Sequence, residues 1–500
     1  KPLNLAVILS EILTEEKKIL DSASEALVLG NRLSYKTAST GPLQDALNRL
    51  VLQVVLQQIE NILNLAQKMV ASLTDVELPQ WKRRQQMACI GAPADTSLDH
   101  LQKWFTAVAE TLLRVREQLQ KLQDQSSKDD GVPGPVAQMT EFTHSLFTKL
   151  LANALVVEKQ PFMSSLPQRP LILKTLVRFT LKTLKGFRQF DFNKDESKIL
   201  DSDSPCGGLV AEFSHMSRLV VTEELHIIKI VTRFQHAGLK FNIEASSLPV
   251  VVISGTNQVV SAWASVMWYN VLSASEPRNL SLFVDPPPLT WQQLSQVLSW
   301  QFGSVGQREL DEHQLSMLRD KFVGEFLGRL LHAIEPRPFL ESTSCFRKFA
   351  SFPDNHWIWI DGILDLIKKH LVDIWRDGSI MGFVSRERTK VLLQEKQSGT
   401  FLLRFSESNK DGAITFSWVD GTHVHAVDPY TKDELLLMSL PNIINHYSLR
   451  AQRSAHRNPL IYLYPDIHKD QAFGRYYGET SATKKVMNGY LKRKLLSESE

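Results

Sequence analysis

One arginine stands in the middle of an apolar segment near the carboxyl end of the chain. Residues 399–408 read GTFLLRFSES. Side chains alternate along a strand, so Arg404 and Ser406 share one face and the flanking phenylalanines share the other. A guanidinium without a partner would be unfavourable there, so an anion should meet it. From spacing alone, the favoured interpretation is an internal pair between Arg404 and either Glu407 or Asp411.

The alternative interpretation is a binding pocket for a phosphate group. The planar guanidinium of Arg404 can give a phosphate two parallel, charge-assisted hydrogen bonds. Ser406 and Ser408 would add hydroxyl donors, and the turn between them can direct backbone N–H groups into the same space. Arg386 and Arg388, one predicted helix earlier, could close the pocket from the side.

Composition places these residues in a large globular chain. Its 500 residues are 43% hydrophobic and 22% charged, which excludes general disorder and favours about three or four domains. Lys and Arg number 57 against 54 acidic residues, so the net charge of +3 neither requires nor excludes a nucleic-acid partner. No apolar run approaches the length of a membrane span. The 3 cysteines are far apart, which predicts no metal site and favours a reducing compartment. Because the chain begins without Met, we expect it to be part of a longer protein.

The first third of the chain carries only helical periodicity. Between residues 98 and 122, apolar side chains recur at alternating steps of three and four, which is the coiled-coil or bundle pattern. Similar stripes cover residues 5–27, 47–73 and 142–155, with short polar or Gly/Pro breaks between them. Residues 1–157 are therefore predicted to form an antiparallel four-helix coiled-coil bundle.

Beyond the bundle, the pattern changes twice. Short β-branched runs with turn residues between them predict a β-sandwich over residues 158–286. The run Pro286–Pro288 marks a boundary, because it fits neither a helix nor a central strand. Tryptophan-rich helical segments follow over residues 287–377, and a helix-strand-strand-helix pattern occupies residues 378–478. The remaining tail, 479–500, is polar and is predicted to be solvated.

These segments are similar, in their order along the chain, to those of one family. A resemblance to the Src-homology 2 (SH2) domain of the STAT family, the signal transducers and activators of transcription, rests on GTFLLRFSES, on DGSIMGFVSRER before it, and on GAITFSWV and VDPYTKDEL after it. The resemblance covers nearly the whole chain. Its other segments are WKRRQQMACIGAP (81–93) in the bundle, RPLILKT (169–175), VTEELH (221–226), LPVVVIS (248–254) and WASVMWYN (263–270) in a DNA-binding barrel, VLSWQF (297–302) in a linker, and YLYPDIHKDQAFGRYY (462–477) after the phosphate-binding domain.

The resemblance implies a fold and a set of residue roles. The fold is a coiled-coil bundle, an immunoglobulin-like β DNA-binding domain, an α-helical linker, and an α+β SH2 domain followed by a phosphotyrosine tail. Arg404 would then bind the phosphate of a phosphotyrosine, with Arg386 at a helix position where the family usually has Lys. The implied phosphate loop comprises Ser406, Glu407 and Ser408.

For the tail, the resemblance implies phosphorylation of Tyr490. A phosphotyrosine carries about −1.5 to −2 charges and three strong acceptors, which makes it a ligand for Arg404. If the tail cannot reach its own pocket, as the resemblance implies, two chains exchange tails in a two-fold contact. We therefore expect a phosphorylation-dependent homodimer, or a heterodimer with a related family member. A basic run surrounds Tyr490, and a solvated tail is favoured for it over nuclear targeting: Lys484, Lys485, Lys492, Arg493 and Lys494.

In the β-domain, the resemblance implies contacts to double-stranded DNA. The expected contact residues are Lys174, Lys185, Arg188, Lys240, Thr256 and Asn257. Two positions depart from the family, since Gly255 stands where an Asn that reaches the major groove is usual, and Gln189 where a second basic residue is usual. A glycine cannot read a base edge, so either Asn257 takes over this role or base reading weakens.

The expected function is that of a latent transcription factor in cytokine or interferon signalling, nearest to the interferon-responsive members of the family. It would bind phosphotyrosine motifs of activated receptors, be modified by a tyrosine kinase, and move from the cytoplasm to the nucleus with import factors. No cofactor, metal or membrane is expected. One alternative is a phosphotyrosine-binding adaptor with weak or no DNA binding. An enzyme is not expected, because the sequence contains no kinase, Walker-loop, HExxH or nucleophile-elbow motif.

Overall fold

The structure is a computed structural model, and it describes most of the chain from residue 41 onward. Before that point it describes isolated positions between 10 and 25, so the first predicted bundle helix lies almost entirely outside the described residues. The described ranges are then 41–126, 134–162, 171–173, 178–183, 197–201, 209–213, 225–236, 239–255, 258–273, 289–333, 345–346, 354–450, 457–478, 491, 494 and 496–498.

Long helices form the described part of the bundle. They are α1 (Gly41–Ala71), which continues through a π-helical turn (Ser72–Glu77) into α2 (Leu78–Ala88), then α3 (Asp99–Ser126) and α4 (Gly134–Ala152). The predicted seam of α3 is confirmed, because its apolar side chains from Leu101 to Leu119 are at most 5% exposed. The last stripe was predicted to run to Leu155, and this is wrong at its end. The helix stops at Ala152, and the β-branched residues that follow favour an extended backbone.

The described residues of the β-domain form two sheets and a two-stranded antiparallel pair. Its strands are β1 (Leu155–Phe162), β2 (Leu171–Leu173), β3 (Arg178–Thr183), β4 (Ser197–Asp201), β5 (Leu209–Phe213), β6 (Leu225–His226), β7 (Lys229–His236), β8 (Leu239–Ser246) and β9 (Val250–Ile253). One sheet has the antiparallel order β1-β3-β5-β4, the other has the order β2-β9-β6, and β7 pairs with β8. The β-rich fold predicted for this region is therefore confirmed.

One segment assigned to the barrel by resemblance has a different structure. Residues 263–270 lie in a helix, α5 (Val259–Leu272), which follows the last strand of the second sheet. Its residues from 262 to 270 are all buried. A helix whose apolar residues are not confined to one face is typical of an interior position. In a sequence, periodicity alone does not distinguish such a short apolar segment from a buried strand.

The helical linker is confirmed. Its elements are β10 (Leu289–Thr290), α6 (Trp291–Gly306), α7 (Glu312–Ala333), β11 (Cys345–Phe346), α8 (Asp354–Leu366), a π-helical turn (Ile367–Leu371) and α9 (Val372–Arg376). A capping box begins α6, in which the Thr290 hydroxyl accepts from the Gln293 N–H at 3.3 Å and the Gln293 side chain accepts from the Thr290 N–H at 3.0 Å. In the part of the chain that the structure describes, no helix is both long and apolar enough to cross a membrane.

The last domain is built on a mixed sheet. Its elements are α10 (Arg386–Gln394), β12 (Thr400–Phe405), β13 (Ala413–Asp420), β14 (His423–Ala426), β15 (Tyr430–Thr431), α11 (Lys432–Leu437), α12 (Leu440–His446), β16 (Ser448–Arg450), β17 (Tyr462–Leu463), β18 (Ile467–His468) and α13 (Lys469–Phe473). The sheet order is β14-β13-β12-β17-β18. The predicted alternation along β12 is confirmed, because Phe401, Leu403 and Phe405 join the large core while Leu402 packs on the other face with Leu393 of α10.

Part of the tail folds onto this domain. Strand β19 (Leu496–Glu498) pairs in parallel with β16, and Leu491 is 1% exposed. Lys494 forms an ion pair with Glu434 in which its side chain is 8% exposed. The prediction of a solvated tail is therefore wrong for these positions, because an apolar side chain and a paired ammonium both gain contacts on the domain surface.

The linker and the last domain share one hydrophobic core. It contains Phe302 and Trp375 of the linker together with Phe383 and Phe405 of the last domain. At its edge, the backbone of Gly362 in α8 meets the loop before β13. A Cβ atom at Gly362 would lie 2.4 Å from the carbonyl carbon and oxygen of Asp411. This contact therefore requires a glycine.

We predict that Gly362→Ala destabilises the protein by about 1–3 kcal/mol, because the added methyl group overlaps backbone atoms that cannot rotate away. The measurement is urea unfolding followed by tryptophan fluorescence. Gly474→Ala is the control, since nothing lies within 4 Å of a Cβ atom at that position. Equal unfolding midpoints for the two variants would show that the close contact is absent.

Candidate anion-binding site

Arg404 is held in the middle of the domain by backbone pairing on both sides. It lies opposite Thr415 of β13, and on the other side it forms a parallel bridge with Gly382. The neighbouring Phe405 N–H donates to the Gly382 carbonyl at 2.9 Å. The arginine is 3% exposed. The backbone therefore fixes where this charge lies.

The guanidinium has few partners within the described protein. Its Nη1 atom donates to the Phe405 carbonyl at 3.3 Å and lies 3.4 Å from Oε1 of Glu407. The Nε atom is buried and has no hydrogen-bond partner among the described residues. Of the two internal pairs that spacing allowed, the structure thus shows the one with Glu407, and it does so with one long contact. A guanidinium carries five N–H donors, so most of its capacity is available for a ligand.

Burial and three neighbouring charges shift the pKa of Arg404. Desolvation is the largest influence and lowers the pKa of Arg404, while the carboxylate of Glu407 raises it. Arg386 lowers the pKa of Arg404 further, and Glu387 raises it. An arginine stays protonated under such shifts, so the site holds a buried positive charge with a second cation close enough to affect it. This electrostatic arrangement favours an anion.

The predicted loop residues follow the strand directly. Ser406 is 1% exposed, and its Oγ atom lies 3.2 Å from Oγ of Ser408. The backbone N–H of Ser406 donates to the Ala413 carbonyl at 2.9 Å, which closes the hairpin between β12 and β13. The structure therefore brings Arg404, Ser406, Glu407 and Ser408 together.

The helix before the strand presents its amino terminus beside the arginine. Ser385 caps α10, and its side chain accepts from the Arg388 N–H at 3.1 Å. Arg386 is the first residue of this helix and is exposed, as is Arg388. The amino-terminal end of a helix carries partial positive charge, which adds to that of Arg386. Arg386 is close enough to Arg404 to lower its pKa, and its role in binding a ligand stays a prediction.

A linker residue that the sequence prediction missed also holds the loop. The indole Nε1 of Trp359 in α8 donates to the Ser406 carbonyl at 2.8 Å. The ring of Trp359 is 3% exposed and packs edge-on against Phe383. A separation of 47 residues carries no periodic signal in the sequence, so this contact required the fold.

Most of the other predicted site residues lie outside the described residues. Tyr490 lies outside the described residues, and so do the DNA-contact candidates Lys174, Lys185, Arg188, Thr256 and Asn257. The same holds for Gln189. Lys240 is exposed on β8, and Gly255 is half-buried just beyond the fully buried strand β9.

The order of domains and the arginine pocket define a class, that of multidomain proteins with an anion-binding site near the carboxyl end of the described chain. Comparison with known families then matches four successive parts of the chain. They are "STAT transcription factor, coiled-coil domain" over 30–151, "STAT protein, DNA binding domain" over 180–253, "Signal transducer and activator of transcription, linker domain" over 276–360 and "SH2 domain" over 380–453.

Two individual proteins of the same family are similar to this chain along most of its length. The chain is 39% identical over 487 residues to the mouse protein "Signal transducer and activator of transcription 4", and 39% identical over 512 residues to the human protein of that name. The alignments cover 87% and 89% of this chain, but 64% of the mouse protein and 67% of the human one. The chain therefore belongs to the STAT family and spans about two thirds of the length of these relatives.

Among solved structures, a chain from "Crystal Structure of STAT2 in complex with IRF9" matches 30% of this chain and 94% of its own length at 24% identity, with a TM-score of 0.20. A similarity of this extent supports no argument about the fold.

We predict that Trp359→Phe weakens the binding of a phosphotyrosine peptide about fivefold, because the loop loses a hydrogen bond worth about 1 kcal/mol while the core keeps an aromatic ring. The measurement is fluorescence polarisation with a peptide of residues 486–500 phosphorylated at Tyr490.

Trp357→Phe is the matched control for this prediction. Trp357 lies on the same helix, but its ring contacts Trp268 of α5 rather than the loop. Its substitution should leave the peptide affinity within about twofold of the unsubstituted chain, which is below one typical net hydrogen bond. Equal affinity losses in both variants would contradict a specific role for the Trp359 N–H.

Proposed function

We propose that this chain is the core of a latent cytoplasmic transcription factor of cytokine or interferon signalling. Phosphorylation of Tyr490 by a tyrosine kinase drives reciprocal SH2–phosphotyrosine dimerisation, which leads to nuclear entry and sequence-specific DNA binding. One observation carries the proposal. Arg404 is a buried charge whose described side-chain partner, Glu407, lies at the long distance of 3.4 Å.

A phosphotyrosine fits this site better than a carboxylate does. It brings three acceptor oxygens and close to two negative charges, so it can accept from the guanidinium and from the hydroxyls of Ser406 and Ser408 at once. The exposed Arg386 can neutralise the outer part of the same group. A single carboxylate such as that of Glu407 satisfies one nitrogen of Arg404 here, and the phosphate would displace it.

A DNA-binding role rests on the β-domain. The family match over 180–253 favours it over the adaptor alternative, which the comparisons do not favour. We propose Lys174, Lys185, Arg188, Thr256 and Asn257 as contact residues. Dimerisation doubles each such contact, so a surface with few charges gains affinity when two copies bind together.

The partners and the domain bounds complete the proposal. Phosphotyrosine motifs of activated receptors would use the Arg404 pocket before the tail does, and import factors would carry the dimer into the nucleus. We propose domain bounds of 1–157, 158–286, 287–377 and 378–478, with the tail at 479–500. Three of the four matched family ranges lie inside these bounds, while the linker match begins before residue 287.

We predict that the kinase-treated chain is a dimer and that Tyr490→Phe keeps it monomeric, because the ligand for Arg404 is then never made. Arg404→Ala should be phosphorylated and still remain monomeric, since its pocket lacks the guanidinium. Light-scattering mass is the measurement. Arg319→Ala, at an exposed position of α7, is the control and should dimerise. A dimer of kinase-treated Tyr490→Phe would show that dimerisation uses another contact.

We predict that the phosphorylated dimer binds two-fold symmetric DNA with an affinity that falls steeply as salt rises. Lys174→Ala should reduce the slope of log K against log salt by about 1.8, because a phosphate contact worth about 0.9 is lost in each copy. Lys68→Ala, at an exposed position of α1, should leave the slope unchanged. Equal slopes for the Lys174 and Lys68 variants would exclude Lys174 as a phosphate contact.

A further inference from the structure

The ammonium group of Lys494 is enclosed by three residues of the SH2 domain. Its Nζ atom donates to the Pro429 carbonyl at 2.6 Å and to the Glu434 carboxylate at 2.8 and 3.1 Å. It also lies 4.5 Å from the centre of the Tyr430 ring. We call Pro429, Tyr430 and Glu434 the lysine socket. Its oxygens and ring face match the three donors and the compact charge of an ammonium group.

The pair is buried more deeply than most lysine contacts. The Lys494 and Glu434 side chains are 8% and 12% exposed, whereas the pair between Lys469 and Asp470 in the same domain has its carboxylate 53% exposed. Solvent screening therefore weakens the Lys494 pair much less than a surface pair. A neutral side chain at position 494 would leave Glu434 buried without its counter-charge, which is unfavourable.

The socket is organised by the SH2 domain itself rather than by the tail. Glu434 is the third residue of α11, and its carboxylate accepts from the Thr431 N–H at 2.7 Å in a capping box. Tyr430 is fully buried and stacks on Phe416 of β13 at 6.1 Å. The carboxylate and the ring are thus fixed by contacts that do not involve Lys494. A preorganised site of this kind loses little entropy when it binds its ligand.

The described tail residues before and after Lys494 also contact the SH2 domain. Leu491 is buried in the core of the domain, and Leu496–Glu498 pairs with Ser448–Arg450 in a parallel register. Lys494 lies between these two anchors and is the fourth residue after Tyr490. A phosphotyrosine ligand that places its first residue after the phosphotyrosine where Leu491 lies is in register to place its fourth residue in the socket.

We propose that the lysine socket is a specificity site, which selects phosphotyrosine ligands that carry a lysine four residues after the phosphotyrosine. This inference rests on the proposed function of the Arg404 pocket and extends it. In the single chain the socket holds the chain's own Lys494, and in the reciprocal dimer it holds the Lys494 of the other copy. Exchange of the two tails then preserves the buried ion pair, so the change in free energy on exchange is small, as in domain swapping.

The test uses three fluorescent peptides of residues 486–500 phosphorylated at Tyr490: the unsubstituted peptide, one with Lys494→Met and one with Lys492→Met. The protein is the full chain carrying Tyr490→Phe and Lys494→Met, so that its own tail neither becomes phosphorylated nor fills the socket with a lysine. We expect the Lys494→Met peptide to bind about tenfold more weakly than the unsubstituted one, the usual effect of losing charged hydrogen bonds. The Lys492→Met peptide should bind within about twofold of it.

The second part of the experiment repeats the peptide measurements with a protein variant of the socket. Glu434→Gln removes the charge but keeps a side chain that can cap α11, and it should reduce the tenfold difference between peptides to about twofold. Equal binding of all three phosphopeptides to the chain with Glu434 would overturn the socket, and because the peptide substitutions leave the protein unaltered, misfolding cannot explain that result. Unphosphorylated peptide that binds as tightly as phosphopeptide would overturn the proposed function instead, with the dependence on Lys494 still measurable. No binding by any peptide would overturn both.

Discussion

The candidate site depends on the positive charge of Arg404, which is kept in the interior of the domain. Arg404 lies on a central strand with apolar residues before and after it, where desolvation lowers its pKa without removing the proton. Replacing such a charge by an apolar residue is often neutral or stabilising in proteins, so its presence calls for a reason beyond folding. Among the described residues, Arg404 has one long contact with Glu407 and one with the Phe405 carbonyl. The anion that we propose for this site would supply the missing partners.

The pocket is supported by residues from two domains. Trp359 reaches from the linker to the Ser406 carbonyl, and aromatic rings continue this contact through the shared core. Phe302 and Trp375 of the linker lie 5.3 Å from Phe383 and 5.5 Å from Phe405, respectively. The same core extends to α5 at the end of the β-domain. The loop that contains Ser406 is thus a part of one packed unit that reaches toward the β-domain.

Much of this arrangement could be predicted from the sequence, and the rest could not for definable reasons. Alternation along a short strand identified the face of Arg404, and the seam in α3 followed from its heptad-like spacing. Residues 263–270 were placed in the barrel by resemblance alone, and no periodicity distinguished the buried helix α5 from a buried strand there. Trp359 was missed because its contact depends on how two domains pack. Lys494 was assigned to a solvated tail because a lysine in a basic run gives no sign of a carboxylate 60 residues earlier.

The close approach of Gly362 to the loop before β13 decides how separable the SH2 domain is. Each backbone leaves no room for a methyl group on the other, since a Cβ atom at Gly412 would lie 2.3 Å from the Gly362 carbonyl carbon. Cutting the chain between the two domains would uncover the rings that meet there, and exposed aromatic patches favour aggregation. The SH2 domain of this chain therefore depends on the helical linker for its packing, and a chimaeric protein that contains the SH2 domain would have to include the linker helices as well.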